Sequence, residues 1–331
     1  MSDDPRLRWF SYARQRLGGA GREPDSVLRD VVGVYSAHPT APLSLLARCE
    51  PFDADAYRAM HAVRLPAMRG AIHLLAQESA HLAFRATQRS ADDEEWSGLT
   101  ADEYAELRGA LLAAATEPTT ARELRAATGA AGTLAPVLNA LTREGVLVRL
   151  GAHGLRSNEL FYVAATVDDA DADGALAWLA DEYLRAFGPA RVVDFQWWAG
   201  VSAARARTAV ESVETELLED GLLLRRADSA ELDRAAAVTG TVDLLPKWDC
   251  YAMGYPADGR GRFADADIAE ELYDPGGDSR PLVLIDGAAA GTWSVRPGGA
   301  LEFELDLYGE PGPAARAALE ERAAAIRALL A

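Results

Sequence analysis

The sequence has few of the features that mark secreted, membrane or metal-dependent proteins. Its 331 residues include two cysteines, Cys49 and Cys250, which lie far apart and argue against a disulfide framework. No apolar run approaches the roughly 20 residues of a membrane-spanning helix, and the first residues lack the pattern of a signal peptide. The five histidines lack the spacing of a metal motif. We therefore expect a soluble protein of the reducing cytoplasm, monomeric, with no metal, cofactor or membrane partner.

Positive charge is also scarce, and it is unevenly distributed. The formal net charge is −18 at pH 7, and Lys247 is the single lysine among the basic residues. Residues 1–90 carry 12 arginines against nine acidic residues, whereas the remainder carries 21 basic against 42 acidic residues. Because a polyanion needs local positive potential, a nucleic acid would approach the N-terminal part first. An acidic surface that only keeps the protein soluble explains the same composition.

The clearest positive feature is a module that occurs twice, in residues 119–150 and in residues 189–226. Each copy reads as a helix, a glycine turn, a second helix, another glycine and an apolar strand, with the turn glycines at Gly129 and Gly200. Two short helices joined at a glycine turn, with a strand behind the second, are typical of a winged helix-turn-helix, which most often binds nucleic acid. The pattern therefore predicts repeated DNA-binding modules.

The N-terminal residues predict a third, more divergent copy of this module, with a wing hairpin that turns at Gly70. Beyond residue 240 the pattern changes to strands: Asp286-Gly287 signals a hairpin, and residues 301–308 alternate apolar and polar side chains before an amphipathic closing helix. We predict an α+β fold of three tandem winged helix-turn-helix modules followed by a small β-barrel with a terminal helix. The expected domains are residues 1–98, 99–168, 169–240 and 241–331.

Four segments, in order along the chain, carry distinctive motifs: VGVYSAHP (32–39), RLPAMRGAIHLL (64–75), LLPKWDCYAMGY (244–255) and VLIDGAAAGTW (283–293). Together they resemble the motifs of the bacterial winged-helix DNA glycosylases typified by AlkZ and YcaQ. The second is similar to the family's Arg-Gly-Thr-Φ-His-Leu motif, and the fourth is similar to its Val-Asp-Gly hairpin. This resemblance covers essentially the whole chain and implies three winged helices and a β-barrel arranged in a C shape around DNA.

The resemblance departs from the family where the chemistry would take place. The family's two catalytic glutamines fall on Tyr35 and Ala37 here, and the next position is His38. Ala37 has no polar atom with which to orient a water molecule. Tyr35 and His38 could hold that water instead, with His38 as a base near neutral pH, and Asp249 is the motif-borne carboxylate that could offer negative potential to the sugar. Tyr35, His38 and Asp249 are therefore the candidate catalytic residues.

The motifs and the wings also supply candidate DNA contacts, since arginine suits phosphate recognition. Arg69 and His73 lie in the second motif, and a flexible basic loop follows the third motif at residues 258–263. We expect the inner wall of the C shape to be electropositive. The candidate DNA-binding residues are Arg64, Arg69, His73, Arg149, Arg156, Arg260 and Arg262.

Each candidate also has a structural interpretation. Tyr35 can pack its ring with its hydroxyl satisfied, His38 before Pro39 can be a turn residue, and His73 can be a core histidine. The third motif, around Asp249, can be a structural clasp between the third module and the barrel. We also expect the neighbouring Trp197 and Trp198 to divide between the core and the surface of the third module.

Three functions are therefore open. The first is a DNA-binding glycosylase that excises alkylated purines from damaged double-stranded DNA. The second is a DNA or lesion binder that lacks catalysis, as Ala37 suggests. The third is a protein-interaction module, which a uniformly acidic cleft would favour.

Overall fold

The computed structural model describes residues 4–19, 23–37, 39–88, 99–130, 132, 134–151, 159–296 and 302–330. His38 and Arg156 lie outside the described residues, so their predicted roles stay predictions. Within the described ranges the chain combines helices with three small antiparallel sheets of six, four and two strands, which confirms a mixed fold of helices and sheets. In this part of the chain, no helix is both long and apolar enough to cross a bilayer.

The described residues up to Gln88 contain five α-helices and three strands. Asp4 begins the first helix by accepting from the Arg6 backbone N–H, and Asp53 begins the fourth in the same way with two backbone donors. The predicted hairpin is present, with a tight turn at residues 67–71. The elements are α1 (Pro5–Arg14), α2 (Pro24–Asp30), β1 (Val34–Tyr35), α3 (Thr40–Leu46), α4 (Ala54–Arg58), β2 (Ala62–Pro66), β3 (Ile72–Ala76) and α5 (Ala80–Thr87).

Residues 99–164 run in the order helix, short strand, two helices and hairpin. Capping boxes at Thr100 and Thr120 begin two of the helices, because each threonine and the glutamate three residues later satisfy each other's backbone N–H. Gly129 and Gly145 end two helices in the left-handed conformation. The elements are α6 (Ala101–Ala114), β4 (Thr119–Thr120), α7 (Ala121–Thr128), α8 (Ala135–Glu144), β5 (Leu147–Leu150) and β6 (Phe161–Ala164).

Residues 172–233 repeat this order, with an isolated bridge between Ala190 and Leu223 in place of the first strand. Trp198 is buried and Trp197 is partly exposed, as expected for neighbours on one helix. The elements are α9 (Ala172–Phe187), α10 (Val192–Ala199), α11 (Ala203–Glu211), β7 (Thr215–Leu217), β8 (Leu223–Arg225) and α12 (Ser229–Asp233).

The C-terminal strands form an open sheet in the order β12-β11-β10-β9. The predicted small β-barrel does not close among the described residues, because β9 and β12 are the two edges and do not pair with each other. Packing explains the open form: α13 covers the sheet with Leu319, Ala323 and Ile326, so the apolar face is buried without closure. The elements are β9 (Val242–Leu245), β10 (Leu282–Ile285), β11 (Ala288–Arg296), β12 (Glu302–Leu307) and α13 (Pro313–Leu330).

The groups of elements described above share a sheet and a hydrophobic core. Arg64 in β2 pairs with Arg149 in β5, and this contact joins two hairpins into the six-stranded sheet β1-β3-β2-β5-β6-β4. One large hydrophobic cluster extends from β2 and β3 through α5 and α9 into α10 and α11. The sheet and the cluster therefore connect parts of the chain that are far apart in sequence.

Candidate nucleic-acid interface

Tyr35 lies at the centre of the candidate site. It follows Val34 in β1 and pairs with His73 in β3. Because side chains alternate along a strand, Val34 is buried in one core while Tyr35 points to the opposite face of the sheet. The Tyr35 ring lies 4.5 Å from the His73 ring, and its hydroxyl accepts a short hydrogen bond from Nη2 of Arg69.

Arg69 reaches Tyr35 because the turn between β2 and β3 is unusually tight. Arg69 has a φ of 56°, and Gly70 has a φ of 72°. The Arg69 guanidinium lies 4.1 Å from the centre of the Trp197 ring in α10, a cation–π contact. A Cβ at Gly200 would lie 2.8 Å from Cα of Arg69. Because Gly200 has no side chain, the hairpin turn can pack directly against the end of α10.

A second arginine on an aromatic ring lies near Arg69. The guanidinium carbon of Arg260 is 3.2 Å from the centre of the Tyr273 ring, and its Nη2 donates to the Gly277 carbonyl at 3.3 Å. Burial lowers the pKa of Arg260, and the charge of Arg69 lowers that pKa further. Among the described residues, no carboxylate lies within ion-pair distance of Arg260. Arg69 contacts Tyr35 directly, and its charge also acts on Arg260, which has no carboxylate within ion-pair distance among the described residues.

Lys247 and Trp248 form a further contact between a cation and an aromatic ring, and Asp278 links this pair to Tyr35 through its electrostatic effect. The Lys247 ammonium lies 4.6 Å from the centre of the Trp248 ring and 3.3 Å from a carboxylate oxygen of Asp274. Asp278 is 4.0 Å from the same ammonium, and its charge contributes to raising the pKa of Tyr35. The region therefore mixes basic, acidic and aromatic groups and is not uniformly acidic.

Tyr35 is neutral at physiological pH. Burial raises the pKa of its hydroxyl, although Arg69 opposes this shift. Since the Tyr35 oxygen already accepts from Arg69, its own proton is available to a water molecule or a sugar oxygen. Tyr35 can position a ligand by hydrogen bonding, but it cannot act as a base in this state.

His73 lies beneath Tyr35 and is 2 % exposed. Its Nδ1 lies 3.0 Å from the Ala71 carbonyl oxygen, and burial lowers its pKa to about 4. A neutral, buried imidazole does not attract phosphate, which argues against the predicted DNA contact. The geometry instead makes His73 a support for the Tyr35 ring.

The position of Asp249 does not fit the catalytic role predicted for it. It is fully buried, and both of its carboxylate oxygens accept from the Arg48 guanidinium at 2.8 Å. Arg48 also donates to the backbone carbonyls of Gln15 and Ser44. A carboxylate engaged in this way cannot approach a sugar, so the structural clasp interpretation fits and the catalytic assignment does not.

The remaining predicted arginines also separate from Tyr35. Leu65 pairs with His73, whereas Arg64 pairs with Leu74, so Arg64 lies on the sheet face opposite to Tyr35. Arg149 is directly opposite Arg64 in the neighbouring strand and shares its face. Arg262 is 7 % exposed and donates to Ser11 Oγ and the Pro189 carbonyl, which makes it an internal brace.

From the predicted set, the structure brings Tyr35, Arg69 and His73 into contact, and Arg260 is close enough for the charge of Arg69 to lower its pKa. Four further side chains, Trp197, Tyr273, Lys247 and Trp248, complete the region, and their part in it was not predicted. The signal for Trp197 was its position beside Trp198 in an amphipathic helix, because only one of two neighbours can enter the core. We call Tyr35, Arg69, His73 and Trp197 the Tyr35 cluster. No group of His, Cys, Asp and Glu in the described ranges could hold a metal ion.

The fold and this region define the class of the protein. Helix–hairpin units that present guanidinium groups together with aromatic rings are typical of nucleic-acid-binding proteins. A family model described as DNA glycosylase AlkZ-like matches residues 28–329. The chain belongs to the AlkZ-like DNA glycosylase family, which confirms the resemblance found in the motifs.

A solved structure is similar over nearly its whole length. The Streptomyces sahachiroi DNA glycosylase AlkZ superposes with a TM-score of 0.78 at 20% sequence identity, covering 99% of this chain and 97% of that one. At this identity the likeness establishes a shared fold. No curated protein matches the sequence.

Proposed function

We propose that this protein binds damaged double-stranded DNA across the Tyr35 cluster and releases alkylated purine bases from it. The observation that carries the proposal is the Arg69 guanidinium, which bonds to the Tyr35 hydroxyl, covers the Trp197 ring and lies near Arg260. Such an arrangement offers positive charge to the DNA backbone and aromatic surface to a base. Membership of the AlkZ-like family supports the same role.

The proposal includes the architecture. Three runs of helices followed by a hairpin support an interpretation as three winged helix-turn-helix modules, with boundaries near residues 98, 168 and 240. The hairpin that carries Arg69 then corresponds to the wing of the first module. On this proposal the protein acts as a monomer on chromosomal DNA in the cytoplasm.

The chemistry needs little from the protein when the base is already cationic. Alkylation at N7 or N3 makes the purine a good leaving group, so the glycosidic bond breaks with its electron pair moving to the base, and water adds to the oxocarbenium-like sugar. Tyr35 would hold that water through its free proton, and Arg69 would fix the Tyr35 oxygen. His38 remains the candidate base that takes the proton from water. With Asp249 buried, Asp278 is the carboxylate whose charge reaches Tyr35.

A single-turnover excision assay tests this proposal. With enzyme in excess over a duplex containing N7-methylguanine, we expect base release by the wild type. Tyr35→Phe should slow release by about tenfold or more while duplex affinity stays within about twofold, because positioning is lost but binding is not. His38→Ala should slow release by about a hundredfold if His38 is the base. Tyr308→Phe, at an exposed position in the C-terminal region, is the matched control.

The second candidate function is lesion binding without excision. By resemblance, Ala37 stands where the family has a catalytic glutamine, and Asp249 is buried in this structure. Both features favour binding without excision. It predicts no base release by the wild type, together with higher affinity for alkylated than for intact duplex and a steep fall in affinity with salt. Absence of duplex binding at low salt would contradict both candidates and leave the protein-interaction role.

A further inference from the structure

A cavity lies on the sheet face opposite to the Tyr35 cluster. It has a volume of about 260 Å³ and lies between α4, β2 and the end of β5, where the first and second units meet. This volume suits a small polar group better than a large organic ligand. Its walls include the apolar side chains of Met60, Leu74 and Leu150 and the polar side chains of Tyr57, Arg58 and Arg64.

Arg64 enters this cavity with most of its hydrogen-bonding capacity unused. The residue is 8 % exposed, its Nε is buried without a hydrogen-bond partner among the described residues, and its Nη2 makes one long bond of 3.4 Å to the Tyr57 hydroxyl. In the same part of the chain no carboxylate lies within ion-pair distance, and the neighbouring residues 152–158 contain no acidic residue. Since a guanidinium carries five N–H donors and stays charged, its burial is unfavourable until an acceptor arrives.

The surroundings of Arg64 add positive charge instead of compensating it. Arg149, directly opposite in β5, donates to the neutral side chains of Asn139 and Thr142. At the rim, Arg58 is paired with Asp55 at 2.6 Å. Two buried arginines therefore occupy directly opposite positions in the sheet, and neither has a carboxylate within ion-pair distance among the described residues, which favours an anion.

Gly151 has no side chain, and this leaves room for the Arg64 guanidinium. A Cβ at position 151 would lie 2.4 Å from Nη1 of Arg64 and 3.0 Å from its Cζ. The guanidinium can therefore lie against the backbone of Gly151 and face the cavity. Burial raises the pKa of Tyr57, so its hydroxyl remains a neutral donor beside the guanidinium.

We propose that this cavity binds a phosphate group, which accepts hydrogen bonds from the Arg64 guanidinium and from the Tyr57 hydroxyl. The phosphate belongs either to the backbone of bound DNA or to a free phosphate compound. The site does not depend on base excision, because the Tyr35 cluster lies on the other face of the sheet.

Calorimetric titration of the full-length protein with inorganic phosphate, at ionic strength held constant with chloride, tests the proposal. We expect wild-type binding, at least tenfold weaker binding by Arg64→Met, and intermediate binding by Arg64→Lys, which keeps the charge but loses the planar donors. Gly151→Ala keeps Arg64 but displaces its guanidinium, so it should weaken binding several-fold. Arg316→Met, which removes an exposed ion pair on α13, should change nothing.

Two results would overturn the proposal: no phosphate binding by the wild type at millimolar concentrations, or wild-type phosphate binding by both Arg64→Met and Gly151→Ala. If Arg64→Met fails to fold, Gly151→Ala carries the test. Duplex binding by Arg64→Met identifies the source of the phosphate. If the site binds a phosphate of the DNA backbone, Arg64→Met should bind duplex more weakly, with a salt slope reduced by about one. If the site binds a free phosphate compound, Arg64→Met should bind duplex as tightly as the wild type. Failure of the Tyr35 proposal appears separately, in the excision assay.

Discussion

Arg69 combines three roles in one side chain. It terminates a tight hairpin, holds the Tyr35 hydroxyl and stacks on Trp197. A half-buried guanidinium that lies over an aromatic ring is suited to contact DNA.

Replacing Arg69 by Met should lower duplex affinity by about tenfold, which corresponds to about 1.4 kcal/mol. The slope of log affinity against log salt should fall by about one, since one phosphate contact is lost. Arg69→Lys should be intermediate, because it keeps the charge and loses the planar stacking. Fluorescence anisotropy at several salt concentrations measures both quantities. Equal affinity of Arg69→Met and Arg316→Met would contradict a DNA contact at Arg69.

His73 predicts a pH dependence of stability. Its pKa is about 4 in the folded protein and about 6.5 in an unfolded chain, so the unfolded state binds more protons between these values. The free energy of unfolding therefore decreases as the pH falls from about 6.5 towards 4. Between pH 7.5 and pH 5.0, protonation of His73 should lower the free energy of unfolding by about 2 kcal/mol.

Urea unfolding at pH 7.5 and pH 5.0 checks this prediction. His73→Gln should abolish this part of the loss, because glutamine does not titrate. His61→Gln, at an exposed position, is the control and should retain it. The same loss in His73→Gln as in the wild type would show that His73 is not the titrating group.

At the scale of elements, the contact between the hairpin turn and the end of α10 is decisive. Gly200 ends α10 with a φ of 73°, and its missing side chain leaves room for the Arg69 backbone. Gly221, at the β7–β8 turn, also has a φ of 73°, but a Cβ added there would have no described atom within 4 Å. A comparison of alanine substitutions at these two glycines therefore separates the cost of backbone strain from the cost of a steric conflict.

Gly221→Ala should cost about 1 kcal/mol of unfolding free energy, from the left-handed backbone alone. Gly200→Ala should cost about 1–2 kcal/mol more, because the Arg69 turn must move away from α10. Gly200→Ala should also weaken duplex binding, whereas Gly221→Ala should not. Urea unfolding and anisotropy on the same pair of variants provide both measurements. Equal effects of the two variants would show that the turn does not depend on this contact.

At the scale of the whole molecule, the buried Arg48–Asp249 pair joins parts of the chain that are 201 residues apart. It links the turn after α3, in the N-terminal region, to the segment that follows β9. Removing one partner leaves the other charge buried and uncompensated, which is much more costly than breaking an exposed pair.

Asp249→Asn should therefore lower the free energy of unfolding by about 3 kcal/mol. Glu310→Gln, which breaks the exposed pair with Arg316, should cost less than about 1 kcal/mol. Folded Asp249→Asn should bind duplex DNA and release bases as the wild type does. A stable Asp249→Asn variant without base release would instead restore the catalytic interpretation.

Local signals explain how much of the fold was predictable. Capping threonines, helix-ending glycines and the turn at Gly70 act over a few residues, so helices and hairpins followed from the sequence. The site was predicted in part: Tyr35 and Arg69 lie in recognised motifs and meet in the structure. The β2–β5 pairing, the open C-terminal sheet and the contact with Trp197 depend on residues far apart in the chain, and no local pattern encodes them.

The sequence by itself determined the family and the order of helices and strands, because these properties reside in residue identity and short-range periodicity. Tertiary structure decided which charges face solvent. Asp249 and Arg262 became internal, Arg64 and Arg149 took the opposite sheet face from Tyr35, and His73 lost its charge. Burial and pairing set the charge state and reach of a side chain, and both depend on neighbours that only the folded chain brings together.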